Sequence, residues 1–265
     1  MHEPRYANLR YEVEDGVCWL TIDNEPMRNA LTDQIQQDLI AALREINADR
    51  SIRAVVLTGA GDRSFSSGGD ISIFAGLDRV GQWDFMKNRG AEVCRLIENL
   101  DKPVIAMVNG YCYAGGLELV LCCDIVYASE TAKFGLLEGR LGILPGWGGT
   151  VRLPRAIGPR RAKEMIMTAE RIDAREAHEL GLVNLVCPPD KLKDEVLELL
   201  GRMRKVGPLA IQACKTVINT TIDLENMDTA MGVERGAIMW LGTTRDAAEG
   251  VVAWMQKRDP VFTAE

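Results

Sequence analysis

Three short apolar runs recur along the chain: Ala54-Val55-Val56-Leu57-Thr58, Pro103-Val104-Ile105-Ala106-Met107-Val108 and Ile125-Val126-Tyr127-Ala128. Between them lie stretches whose apolar residues repeat at helical spacing. A continuous apolar run of this length reads as a strand covered on both faces, since a strand with one wet face would alternate. Strands of that kind alternating with helices predict an α/β fold with mainly parallel pairing. Before the first run, Leu9–Val13 and Val17–Ile22 alternate across Asp15-Gly16, a hairpin signal. Thr32 or Asp33 caps a helix carrying Ile35, Leu39, Leu43 and Ile46, and a second helix puts Val93, Leu96 and Ile97 on one face.

A helix is predicted from about Gly115 to Cys123. From Gly158 onward the pattern is almost continuously helical, broken by one strand-like run, Leu182–Val186. The expected organisation is a core over residues 1–200 and a helical C-terminal region over 201–265, with no Pro/Ser/Gly-rich linker between them.

A net charge of −7 speaks against nucleic acid as the partner, because phosphate binding favours a basic face. The longest apolar stretch, Leu119 to Ala128, is interrupted by Asp124 and too short to span a bilayer, so no membrane partner is expected. Seven cysteines, an odd number without a C-x-x-C pair, read as buried reduced thiols. Met1-His2-Glu3-Pro4 shows no export pattern, and a cytoplasmic location is expected. With His2 and His178 the only histidines, neither a Ser-His-Asp triad nor a histidine metal site is expected.

Chemistry concentrates in glycine-rich frames. Glu118 closes Tyr113-Ala114-Gly115-Gly116-Leu117-Glu118, and Glu138 closes Phe134-Gly135-Leu136-Leu137-Glu138, which runs on into Pro145-Gly146-Trp147-Gly148-Gly149-Thr150. A third glycine segment, Ser66-Ser67-Gly68-Gly69-Asp70, follows the first buried strand. Glycine lets a ligand oxygen approach the backbone, and a helix N-terminus offers unpaired N–H groups. Two such turns converging on one oxygen make an oxyanion hole. Neither turn has a dinucleotide or P-loop form.

Taken together, these frames resemble the enoyl-CoA hydratase/isomerase family, the crotonase superfamily. The likeness covers essentially the whole chain, from Arg28-Asn29-Ala30-Leu31 through the glycine frames to Glu249–Trp254, Lys257-Arg258 and Pro260-Val261-Phe262. The resemblance implies a spiral of ββα turns with a helical C-terminal region that forms a homotrimer, often a dimer of trimers. It implies an acyl-CoA thioester substrate, with coenzyme A part of that substrate and no separate cofactor or metal.

By the same likeness the thioester oxygen sits between the N–H groups of Gly69 and Gly115. Glu118 is then the base toward water attacking the β-carbon, and Glu138 the acid toward the α-carbon. Ser66, Gly68, Asp70 and Ile71, in the first oxyanion turn, are candidates for binding the substrate. Arg28 and Ala30 lie along the pantetheine, and Arg28, Lys257 and Arg258 are candidates for the coenzyme A phosphates. Asp70 either fixes its turn or takes part in catalysis. Trp147 either narrows the acyl pocket or packs in the core. The basic group Arg152, Arg155, Arg160 and Arg161 reads as a subunit contact.

The reaction expected is hydration of a trans-2-enoyl-CoA. A Δ3–Δ2 isomerase, a cyclic acyl-CoA hydratase or a ring-opening hydrolase is the alternative within the superfamily; an acyl-CoA- or RNA-binding protein of low turnover is the alternative outside enzymes. Leu117, Leu137 and Gly139, beside the two glutamates, depart from the usual hydratase residues and bear on the length and branching of the acyl group.

Overall fold

The computed structural model describes residues 5–265, so His2 lies outside the described residues. A six-stranded sheet is built from β1 (Leu9–Glu14), β2 (Val17–Ile22), β3 (Ala54–Gly59), β5 (Val104–Val108), β7 (Ile125–Ser129) and β10 (Leu185–Cys187), in that order. A four-stranded sheet holds β4 (Ser64–Ser66), β6 (Tyr111–Tyr113), β8 (Lys133–Gly135) and β9 (Ile172–Asp173). Among the described residues only β1–β2 and β8–β9 pair antiparallel; the other pairings are parallel. The hairpin turns on Asp15 (φ 49°) and Gly16 (φ 76°), both left-handed, as a two-residue connection requires.

The helices are α1 (Asp33–Ala48), α2 (Arg79–Asn88), α3 (Gly90–Glu98), α4 (Gly115–Val120), α5 (Gly149–Ile157), α6 (Pro159–Thr168), α7 (Ala174–Glu179), α8 (Leu192–Met203), α9 (Pro208–Thr221), α10 (Met227–Leu241) and α11 (Arg245–Gln256). Thr32 caps α1, its hydroxyl accepting the N–H of Ile35 at 3.3 Å. Ile35, Leu39, Leu43 and Ile46 of α1 join Val93 and Ile97 of α3 and Leu20, Ile22 and Leu57 of the large sheet in one buried cluster. α4 ends at Val120 rather than Cys123. Asp124 fixes that end by accepting the Val104 N–H at 2.7 Å, which draws the chain back to the sheet.

The chain divides into two compact units, one of residues 1–100 and 104–194, the other of Asp101–Pro103 and Glu195–Glu265. Within the second unit the C-terminal tail folds back on α11: buried Asp246 accepts the N–H groups of Thr263 and Ala264 at 2.7 and 2.9 Å. No described helix is long and apolar enough to cross a membrane. Five cysteines are buried and none is in a disulfide, but Cys214 is exposed on α9, contrary to the expectation of uniformly buried thiols.

The small sheet is what assembles the site. β4, β6 and β8 run parallel, with Ser66 beside Cys112 and Tyr113 beside Gly135. The turns leaving their C-terminal ends carry Gly68-Gly69, Ala114-Gly115 and Glu138 respectively. Three segments far apart in sequence therefore meet at one end of one sheet.

Candidate active site

A cavity of about 380 Å³ opens at that end. Its wall includes Gly69, Ile71, Gly115, Glu118, Glu138 and Trp147, so six of the residues singled out in the sequence meet there. The rest is largely apolar, with Met86, Leu137, Leu141, Ile143 and Leu144, and Arg140 is its one basic side chain.

The two glycine turns touch. A Cβ on Gly68 (φ 104°) would come within 2.7 Å of the Ala114 Cβ and 3.1 Å of the Gly115 nitrogen. Ala114, which immediately precedes α4, has φ 50° and ψ −126°, a conformation that costs a non-glycine residue about 1–3 kcal/mol and is characteristic of functional turns. Gly115 follows as the first residue of α4, where an N–H has no partner inside the helix. Among the described residues, neither the Gly69 nor the Gly115 N–H donates to the protein.

Glu118 is 2% exposed, and its Oε1 accepts the main-chain N–H groups of Trp147 at 2.8 Å and Gly149 at 2.7 Å. Burial pushes its carboxyl up to about 7; the Gly149 and Trp147 donors oppose that rise, and the charge of Glu138 adds to it. Glu138 is 8% exposed, and its Oε2 is buried without a hydrogen-bond partner in the protein. Burial raises its pKa too. A protonated carboxyl tolerates such a position far better than an ionised one. The site thus holds two buried acids, both displaced toward neutrality, facing one cavity.

Trp147 both lines the cavity and packs in the core, at 8% exposure. Its indole lies across Gly69, Gly90 and Gly115: a Cβ on Gly90 would come within 1.9 Å of the ring, and one on Gly115 within 2.3 Å. The bare glycines make room for the ring.

Other singled-out residues lie beside the cavity or away from it. Ser66 is buried; its hydroxyl donates to the Asn29 carbonyl at 2.8 Å and accepts from the Gly68 N–H at 3.2 Å. Asp70 accepts the N–H and hydroxyl of Ser72 at 3.0 and 2.7 Å, which holds the turn. Arg28 is exposed, adopts φ 55°, and its carbonyl accepts the Ser67 N–H at 3.0 Å; Ala30 next to it is buried. Lys257 caps the end of α11 in the second unit with φ 54°. His178 bonds through Nδ1 to the Val183 carbonyl at 2.8 Å, and the described residues contain no cluster of metal-binding side chains.

Sequence reading grouped Arg152 with three other arginines as a subunit contact, whereas the structure turns it inward. Its guanidinium donates to Glu98 and to the Trp147 carbonyl. The only signal for this was its place four residues after Gly148, one helical turn from the glycine bend.

The sequence profile of the enoyl-CoA hydratase/isomerase family matches residues 12–265. A crotonyl-CoA hydratase of Syntrophomonas wolfei is 39% identical, over 98% of this chain and 99% of its own length. A short-chain-enoyl-CoA hydratase of Clostridium acetobutylicum is 38% identical over 95% of each chain. Among solved structures, an enoyl-CoA hydratase from Bacillus anthracis superposes with a TM-score of 0.93 at 35% identity, covering 98% of this chain and all of its own.

Proposed function

The chain belongs to the enoyl-CoA hydratase/isomerase family, has its α/β crotonase fold, and acts on an acyl-CoA; from that premise we propose that it is an enoyl-CoA hydratase, reversibly adding water across C2=C3 of a trans-2-enoyl-CoA. The observation that carries this reading is the pairing of two buried carboxylates, Glu118 and Glu138, on one cavity with the Gly69 and Gly115 turns. Isomerisation needs one group to move a proton between two carbons. Hydration needs a base for water and an acid for carbon, and the site supplies both.

In this reading the thioester oxygen sits between the N–H groups of Gly69 and Gly115. Charge moves onto that oxygen as the enolate forms, and each well-aimed donor contributes roughly 3–4 kcal/mol there. Glu118 takes a proton from water as its oxygen bonds to the β-carbon. Glu138 gives its proton to the α-carbon, and the carbonyl re-forms. One proton enters the pair as one leaves, so the site must begin each turnover singly protonated. Dehydration runs the same steps backward.

The apolar lining, the indole wall and the names of the two relatives favour a short acyl group. Exposed Ile218, Ile222, Met239 and Trp254 on α9–α11 support a homotrimer or dimer of trimers, which light scattering distinguishes from a monomer. A cytoplasmic location completes the reading.

The test is turnover of crotonyl-CoA and longer, branched and cyclic enoyl-CoAs, followed as loss of the conjugated thioester absorbance. Fastest turnover on short straight chains supports the reading; absence of turnover across the panel defeats it.

A further inference from the structure

Arg152 ties the glycine bend before α5 to the end of α3. Its Nε and Nη2 donate to the two carboxylate oxygens of Glu98 at 3.1 and 2.7 Å, and its Nη1 donates to the main-chain carbonyl of Trp147 at 3.0 Å. A guanidinium is a rigid planar fork, so a bidentate pair on one edge sets the direction of the donor on the other. The side chain is only 21% exposed. Gly148, at φ 112°, leaves the space it fills: a Cβ there would come within 1.9 Å of Nη1.

The carbonyl held in this way belongs to the peptide between Trp147 and Gly148. The peptides on either side carry the Trp147 and Gly149 N–H groups, and both donate to the same oxygen, Oε1, of Glu118. Fixing the middle peptide therefore fixes both donors. Arg152 does not line the cavity, so it has no place among the groups that touch substrate.

We infer that Arg152, clamped by Glu98, is a positioning residue for the general base: it orients the Trp147–Gly148 peptide so that the flanking N–H groups lock one oxygen of Glu118 and leave the other to receive the proton of water. This rests on the hydratase reading of Glu118. Besides Arg152, the titratable groups around Glu118 are Glu138 and the buried thiols of Cys94 and Cys122, whose sulfurs lie 3.8 and 3.2 Å from the Glu118 carbonyl oxygen. Arg152 is the cation whose charge favours the Glu118 carboxylate, and Arg140 lines the cavity that Glu118 faces.

The experiment compares wild type with Arg152→Gln, Arg152→Lys and Glu98→Gln by kcat and KM on crotonyl-CoA. In parallel, Glu118 is titrated directly by carbon NMR of glutamate-labelled protein, its resonance assigned by its loss in Glu118→Gln. Arg152→Gln should lower kcat roughly ten- to a hundredfold with KM unchanged. It should also move the Glu118 titration upward, because both the cation and the ordered donors favour the ionised form. Glu98→Gln should move both in the same direction by less. Arg152→Lys should recover part of the titration shift but little of kcat, since it restores charge without the fork.

A folded Arg152→Gln protein with unchanged Glu118 titration, or with the loss in KM instead of kcat, overturns the inference. Should Arg152→Gln fail to fold, Glu98→Gln decides by the same two readouts. A wild type inactive on every enoyl-CoA, with Glu118 still shifting in the variants, refutes the hydratase reading and leaves the clamp standing. An active wild type with an unmoved titration refutes the clamp alone.

Discussion

The main-chain N–H of Trp147 donates to Oε1 of Glu118 at 2.8 Å, so the residue whose indole walls the cavity also holds its most buried carboxylate. The two functions are inseparable in sequence. The bend Gly146–Gly149 delivers a ring to one side and N–H donors to the other.

Glu118 makes the fold pH-sensitive. Its carboxyl rises from 4.5 to about 7 in the folded protein, mainly through burial. The folded state therefore binds the proton more tightly than the unfolded chain does. The stabilisation this brings is complete below 4.5 and is lost as pH rises through about 7. Glu118→Gln cannot ionise and escapes that loss. In urea unfolding at pH 5 and pH 8, its stability relative to wild type should rise with pH, by on the order of 3 kcal/mol at most. Parallel stability–pH curves would contradict the assignment.

Activity should follow the singly protonated pair. At low pH both acids are protonated and no base remains; at high pH both are ionised and no acid remains. A bell-shaped profile of kcat/KM is expected for wild type. The variants split it. The residual rate of Glu138→Gln should keep only the acid limb, and that of Glu118→Gln only the alkaline limb. Both limbs persisting in either variant would remove that residue from the mechanism.

In the proposed reaction Glu138 exchanges stability for chemistry. Its Oε2 is buried with no partner in the protein. Replacing such a group by an apolar side chain of similar length removes a desolvation cost of about 1–3 kcal/mol. Glu138→Met should therefore melt higher than wild type by calorimetry, yet lose roughly 10²–10⁴ in kcat. A lower melting temperature would indicate a bonding role for this carboxylate.

Gly90 leaves no room for a side chain, since a Cβ there would come within 1.9 Å of the Trp147 ring. Gly90→Ala should cost about 1–3 kcal/mol by overpacking. Trp147→Ala in the same chain should remove most of that penalty, giving strong non-additivity in a double-mutant cycle. Additive costs, measured by denaturant unfolding, would show that the ring does not fill this space.

The large sheet was legible because β3, β5 and β7 are almost continuously apolar, and the hairpin because Asp15-Gly16 announces its turn. The small sheet was not. Its strands are two or three residues long, too short to show a period of two, and they exist because neighbouring strands supply their hydrogen bonds. α2 was missed for a related reason: it buries no side chain and so shows no apolar stripe. At the site, glycines and glutamates stood out by residue type. The role of the Trp147–Gly149 main chain did not, because an N–H group is present at every non-proline position and only the fold selects which ones point at Glu118. Arg152 was hidden by the same logic, for its partner Glu98 lies 54 residues upstream.

The most direct test is the product formed from crotonyl-CoA in heavy water, analysed by mass spectrometry and NMR. The account predicts a product heavier by one molecule of heavy water, with deuterium on C2 and a hydroxyl on C3, and its near-complete loss in both Glu118→Gln and Glu138→Gln. A wild-type product of unchanged atom count, differing only by exchanged deuterium or a shifted double bond, would contradict it.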